Sequence, residues 1–274
     1  MFDNICKFLA ENFSTDFATW LLGEPISLTE LSPSELSLEP IRADALILLE
    51  SAEVVLHLEF QTQPDANIPF RMIDYRLRVY RRFPQKQMRQ VVIYLKETSS
   101  ELVQQNTFTI AGTRHEFEVV RLWEQPTEVL LRYPGLFPFA VLGQTDDRAS
   151  TLQQVAQEII GIPDQRLQNN VAAATAILAG LVLEKGLIQR VLRRDNMRES
   201  VIYQEIEAEA QAKGRAQGIA EGRAEGRAEG LQEGIRQVAV NLLKSQMPLA
   251  EVVRVTRLSL EEAELLQKEI EGEL

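Results

Sequence analysis

A mixed α/β domain followed by a helical tail is what this sequence predicts, on three observations. Strand-like and helix-like patterns alternate through the first part of the chain, the texture turns helix-rich after Trp123, and glycine recurs at every fourth residue from Gly214 to Gly234. The order helix, strands, helix, strands, helices fits a mixed α/β domain over residues 1–200. A glycine-repeat segment then covers 201–234, and a small helical segment covers 235–274.

The elements follow from local pattern. From Asn4 to Leu22 the apolar residues Ile5, Phe8, Leu9, Phe13, Phe17, Trp20 and Leu21 recur at helical spacing, and Gly23-Glu24-Pro25 supplies a stop. Residues 27–40 carry Ser, Pro and Glu without a period and read as a connection. Two strand-like runs, Ile41–Leu49 and Val54–Gln61, flank the polar Glu50-Ser51-Ala52-Glu53 and read as a hairpin. Pro69–Phe83 reads as a helix with proline at its start, and Gln90–Lys96 as a strand rich in β-branched and aromatic residues. Thr107–Ile110 and His115–Leu122, around Ala111-Gly112-Thr113-Arg114, read as a second hairpin. Helices are expected at Glu128–Tyr133, Thr151–Ile160 and from Gln165 to about Arg193. Ile235–Lys244, Leu249–Val255 and Ser259–Ile270 form the terminal cluster, with Ser259 and Glu262 as a capping box.

Composition narrows the chemistry. At 274 residues, 45% hydrophobic and 25% charged, the chain is neither disordered nor collagen-like. Its longest apolar stretch, Val171–Leu183, falls short of the roughly twenty residues that span a bilayer, and its start has no basic n-region. A cytoplasmic protein without membrane contact is the expectation. Cys6 is the single cysteine, which excludes an intramolecular disulfide or a multi-cysteine zinc site, and with His57 and His115 as the two histidines an all-protein zinc centre is not expected. A metal would be held by carboxylates, which favours magnesium-type ions. The net charge of −11 repels nucleic acid overall, so any DNA contact must be local.

The hairpin at 41–61 carries the most chemistry. Pairing Leu49 with Val54 sets Ile47 opposite Leu56, Ala45 opposite Leu58 and Ala43 opposite Phe60, an apolar face. The other face then pairs Leu48 with Val55, Leu46 with His57, Asp44 with Glu59 and Arg42 with Gln61. Two carboxylates opposed across strands repel unless a proton or a cation lies between them, and a divalent metal resolves the conflict. Such a metal would activate water for attack on a phosphodiester. The plainer reading is a solvated face with both acids screened.

Asp44 followed after fourteen residues by Glu59-Phe60-Gln61, in a strand-turn-strand flanked by helices, resembles the PD-(D/E)XK nuclease core. Gln61 stands where that superfamily usually has lysine. With the Ile68-Pro69-Phe70-Arg71-Met72 helix entry, the arginine-rich helix containing Tyr75 and Tyr80, and the glycine-repeat tail, the chain looks like the recombination-promoting nuclease / putative transposase family in its cyanobacterial-type form. The resemblance covers roughly residues 1–240 as organisation, and its sharp motif is three residues. It implies a restriction-endonuclease-like mixed sheet flanked by helices and a Mg²⁺-dependent DNA endonuclease. Asp44 and Glu59 would ligate the metal together with the Phe60 carbonyl, and Gln61 would orient the attacking water or a phosphate oxygen. A neutral amide lacks the charge that lysine gives to the developing phosphorane, a charge that Arg42 could supply. Glu11 and Asp16 are alternative first-helix acids. The contrasting reading, motivated by the acidic pI and by Gln61, is a catalytically degenerate fold acting as a DNA-associated or assembly module.

Residues 71–89 reverse the sign of the chain with Arg71, Arg76, Arg78, Arg81, Arg82, Lys86 and Arg89. Phosphate contact and a solvated helix face are both open, and Arg71, Tyr75 and Arg78 are the candidate DNA contacts. His57 reads as a satisfied sheet histidine, and Trp20 and Trp123 as core residues. The glycine repeat lacks the Lys-Ser/Thr of a phosphate loop. Each glycine costs a helix about 1 kcal/mol, so Gly214–Gly234 reads as a flexible charged linker, with homo-oligomerisation by close helix-helix approach as the alternative. The last helix carries Glu261, Glu262, Glu264 and Glu269 and is too acidic to read DNA.

Overall fold

A computed structural model of the protein describes residues 2–31, 46–192 and 200–272. The chain divides into two units, Met1–Ile206 and Glu207–Leu274.

The first unit is built on a five-stranded mixed sheet. Strands β1 (Thr29–Glu30), β2 (Leu46–Glu50) and β3 (Val54–Gln61) pair antiparallel in sequence. Helix α3 (Ile68–Arg82) then carries the chain back so that β4 (Gln87–Tyr94) lies parallel to β3. Strands β5 (Thr107–Ile110) and β6 (Thr113–Glu116) form a separate ribbon, and β7 (Glu118–Arg121) adds parallel to β4. The sheet order is β1-β2-β3-β4-β7.

Alternation along β3 and β4 gives each face its own cover. Leu56, Leu58 and Phe60 of β3, with Val91 and Ile93 of β4, face the main core. That core is filled by α1 (Phe2–Asn12), α2 (Ser14–Leu22), α5 (Phe137–Ala140), α6 (Arg148–Ile160), α7 (Gln165–Ala179) and α8 (Lys185–Val191), with the short α4 (Thr127–Leu130) between. Phe17, Phe60 and Phe139 form its aromatic centre, Phe60 stacked on Phe139 and Phe17 edge-on to both. The opposite face is covered by α3. There the apolar contacts split into two groups, one around Leu48, Val55, Tyr75 and Val79, the other around Met72, Val92, Tyr94 and Phe117. Polar side chains occupy the space between them.

The hairpin register differs from the sequence expectation. Glu50 pairs with Val55 and Leu46 with Glu59, so every partner moves by two residues while both faces keep their members. The turn is the cause. The Ser51 amide donates to the Val54 carbonyl, and the Ser51 hydroxyl accepts from the Glu53 and Val54 amides, closing a tighter loop than four residues. Leu46 therefore stands opposite Glu59 where Asp44 was expected, and His57 faces Leu48. Asp44 and Arg42 lie outside the described residues.

Other boundaries shift for local reasons. The first helix breaks at Phe13, and the expected long helix from Gln165 ends at Gly180 before restarting at Lys185. The second hairpin is shorter, because a two-residue Ala111-Gly112 turn with Gly112 at φ +77° closes it. Past Phe117, β7 leaves for the main sheet. Asp147 caps α6 and Asp164 caps α7 through side-chain oxygens that accept amides of the first turn.

The second unit contains the later part of α9 (Val201–Lys244) together with α10 (Leu249–Thr256) and α11 (Leu260–Gly272). Its apolar centre is Ala239, Val252 and Leu266, and the capping box forms, with Glu262 Oε2 accepting from the Ser259 amide and hydroxyl. The glycine segment is helical, within α9. Among the described residues no helix is long and apolar enough to cross a membrane.

Gly135 is a packing constraint in the first unit. A Cβ there would lie 2.3 Å from the Cβ of Phe13, and the Gly135 amide donates to Asp16 Oδ2 at 2.9 Å. Gly135→Ala is therefore expected to lower stability by about 1–3 kcal/mol, read as a lower urea midpoint with an unchanged slope. An unchanged midpoint would show that this contact relaxes freely.

Candidate active site

The polar side chains between β3 and α3 gather at the carboxyl end of the parallel strands. In register across three strands lie Gln61, Tyr94 and Arg121, the last row before the chain leaves the sheet. One row inward Glu59 stands beside Val92, and one further His57 stands beside Gln90. In open α/β sheets this end is where ligands bind, because the strand ends and helix starts leave a crevice there.

Glu59 is the centre of the group. It is 2% exposed, and its Oε1 lies 2.8 Å from Arg71 Nη2 and accepts from Gln61 Nε2 at 3.0 Å. Arg71 comes from the first turn of α3, so the chain reversal after Gln61 brings a cation over the carboxylate at the strand end. Its Nη1 lies 3.5 Å from Asp65 Oδ2. Asp65 is fixed in turn because its Oδ1 accepts the Asn67 amide ahead of the helix. Arg71 Nε and Nη2 are buried atoms without an aligned acceptor, so charge holds the guanidinium where hydrogen-bond geometry does not.

His57 is part of the same network. The Gln90 amide nitrogen donates to the Met72 carbonyl at 2.8 Å and lies 2.9 Å from His57 Nδ1. A carbonyl only accepts, so this orientation of Gln90 is fixed and His57 Nδ1 must accept as well. The neutral ring then carries its proton on Nε2. That nitrogen lies 3.7 Å from Glu59 Oε2 and makes no hydrogen bond. The expectation of a satisfied sheet histidine is thus met at Nδ1 alone. Tyr75 packs edge-on against the ring at 5.2 Å between centroids.

The remaining candidates separate by position. Arg78 donates to Asp74 Oδ2 at 2.9 Å, two turns along α3 from Arg71. Much of the basic stretch has partners within the fold: Arg76 donates to the Met88 carbonyl, Lys86 pairs with Glu50, and Arg89 pairs with Glu118. Arg81 and Arg82 are exposed. Glu11 pairs with Lys7, and Asp16 accepts the Gly135 amide. Both acids belong to helices packed on the opposite face of the sheet from Glu59. Asp65, Gln90 and Tyr94 are members that the sequence reading passed over. The polar Gln90 opening a strand-like run, and Asp65 two residues before Asn67 at a proline-initiated helix, were the signals available.

For a magnesium-type ion the donor chemistry is right and the occupancy is contested. Glu59, Asp65, the Gln61 carboxamide and the Phe60 carbonyl are oxygen ligands of the kind Mg²⁺ takes. Among the described residues no three acidic, histidine or cysteine side chains group around one point, and Arg71 already neutralises Glu59. Comparisons with models of protein families, with curated proteins and with solved structures find no match.

Burial sets the behaviour of the two site phenols. Burial pushes the Tyr75 hydroxyl above the usual tyrosine range, with the charge of Glu59 adding to it. Burial does the same to Tyr94, with the charge of Asp65 adding. Each folded-state pKa lies above its unfolded value, so stability is complete below about pH 10 and is lost as pH rises through the raised values. In an ultraviolet titration Tyr75 and Tyr94 are expected to ionise last, together with unfolding, and Tyr75→Phe should flatten the alkaline loss. Ordinary titration of every tyrosine would contradict this.

Proposed function

We propose that the chain is a Mg²⁺-dependent DNA endonuclease of the recombination-promoting nuclease / putative transposase type, on a restriction-endonuclease-like fold. The observation that carries this reading is the buried Glu59 at the end of β3, held by Gln61 on the same face and by Arg71 from α3. An antiparallel β2–β3 pair followed by a helix and a parallel β4 accords with the resemblance in the sequence.

Glu59, with Asp44 and the Phe60 carbonyl, would hold the metal. When bound, Mg²⁺ polarises a phosphoryl oxygen and lowers the pKa of a coordinated water. The chain's own residues do the positioning. Gln61 holds Glu59 Oε1 through its amide hydrogen and leaves its carbonyl oxygen to accept from a water. Arg71, whose side chain is about a third exposed, would turn its guanidinium onto a phosphate oxygen in the fork geometry that suits phosphate. Arg42, outside the described residues, would be a source of the positive charge that Gln61 lacks.

A specific observation favours the second reading, in which the core is catalytically degenerate and serves as a DNA-associated or assembly module. Gln61 brings no charge, and the charge beside Glu59 comes from an arginine of α3. Cleavage of supercoiled plasmid decides between the two. Nicking with Mg²⁺ that is abolished by EDTA and falls at least about a hundredfold in Asp44→Ala and Glu59→Gln is the expected result. No nicking in any lane would favour the module.

Self-association through Gly214–Gly234 belongs to the same proposal. Residues 214–234 of α9 are exposed, and a Cβ on any glycine of the repeat would meet nothing within 4 Å. Each of these glycines costs the helix about 1 kcal/mol, which a covering partner would offset. Glu221, Glu225, Glu229 and Glu233 form a row on one side of the glycines, and Arg215, Arg223 and Arg227 a row on the other. About a two-fold axis along the helix, the Glu row of one copy faces the Arg row of the next, whereas an antiparallel pair opposes like charges. Light scattering is expected to give a mass of at least two chains for the full protein and of one for a chain ending at Gln211. Equal oligomeric states would remove this association.

A further inference from the structure

A carboxylate that is 2% exposed, as Glu59 is, needs a positive charge beside it, because an uncompensated buried charge costs several kcal/mol. Arg71 supplies that charge from a side chain that is 35% exposed, and its guanidinium reaches both Glu59 and Asp65. The guanidinium thereby occupies the position between two carboxylates that a cation would compete for. It does so without aligned hydrogen bonds from Nε or Nη2, so little directional bonding resists its departure. On the other side of the carboxylate His57 Nε2, fully buried and without a hydrogen-bond partner, points at Oε2 from 3.7 Å. A small closure of that gap would bring the N–H into hydrogen-bond range of Glu59 whichever cation is present.

We infer that Arg71 and a divalent cation are alternative occupants of the Glu59–Asp65 site, and that a phosphodiester, by drawing Arg71 onto its own oxygens, opens that site to the metal. The inference rests on the reading of Glu59 as a metal ligand. Arginine forks match phosphate better than two divergent carboxylates, so an arriving phosphate removes the competitor of the metal and adds anionic oxygens next to it. Metal and DNA then bind with positive coupling, and by linkage each tightens the other by the same factor. Without DNA the site stays closed by its own arginine.

The test uses the full chain and Ca²⁺ as an oxygen-seeking probe, with binding read by calorimetry and the Glu59→Gln variant as the blank. The Glu59-dependent affinity is expected to rise about tenfold in Arg71→Gln, since the arginine no longer competes. Arg81→Gln, which removes the same charge at an exposed position, should stay within about twofold of wild type. A short DNA duplex should tighten Ca²⁺ binding to the wild-type chain and lose that effect in Arg71→Gln. If Arg71→Gln does not fold, Arg71→Lys keeps the charge without the fork and should bind Ca²⁺ between wild type and the tenfold gain. Arg71→Gln binding no tighter than Arg81→Gln, with Glu59 still required, overturns the competition and leaves the metal reading intact. Binding that is the same in Glu59→Gln as in every other chain overturns both.

Discussion

The neutralisation of Glu59 is the constraint on which the rest of the α3 face depends. An ionised carboxylate at 2% exposure is tolerated only with a cation and hydrogen-bond donors around it. Arg71 and Gln61 converge on one oxygen and His57 approaches the other. Because Arg71 extends from the first turn of α3, the pair also ties the start of that helix to the end of β3. The helix cannot shift along the sheet without exposing the carboxylate or separating it from its cation. A contact that serves chemistry in one reading serves register in any reading.

The apolar packing is arranged around this polar core. Tyr75 and Val79 close one side against Leu48 and Val55, and Met72 closes the other against Val92 and Tyr94. Gln90 bridges the two sides by binding the Met72 carbonyl on the helix and His57 on the neighbouring strand. An apolar side chain at that position would leave the buried His57 Nδ1 without a donor, at a cost of about 1–3 kcal/mol, while the Met72 carbonyl would keep its place in the helix ladder. The opposite face is packed as a large core around Phe17, Phe60 and Phe139. The two faces of one sheet therefore divide the work, one carrying the larger apolar cluster and the other the buried network of Glu59, His57 and Gln90.

How much of this was legible in the sequence follows from what each signal measures. Alternation measures the face on which a residue lies, and on that point the reading was right: His57, Glu59 and Gln61 share one face, and Leu56, Leu58 and Phe60 share the other. Register is set by the turn, where the Ser51 hydroxyl captures two amides, and composition carried no measure of that. Partners consequently moved by two residues, which is the smallest slip that keeps both faces. The second hairpin failed differently, because one strand-like run was divided between two sheets at Phe117. The run of arginines was visible as charge. Its pairing to Glu59, Asp74, Glu50 and Glu118 depends on strand and helix placement, which charge counting does not include.

Those pairings bear on how an acidic protein could meet a polyanion. With a net charge of −11, the chain gains little from long-range attraction to DNA, and several of its basic side chains between 71 and 89 already have acidic partners in the fold. An arriving phosphate must exchange with those partners, and each exchange releases a carboxylate that then needs a new cation. Glu118 is exposed and Asp74 and Glu50 are partly so, and water or salt compensates them. At Glu59 the carboxylate is enclosed, and solvent does not reach it. A divalent cation delivered beside the phosphate would meet that need directly, so on the proposed reading the position where anion exchange is most costly for the free protein would also be the one where metal and anion favour each other most.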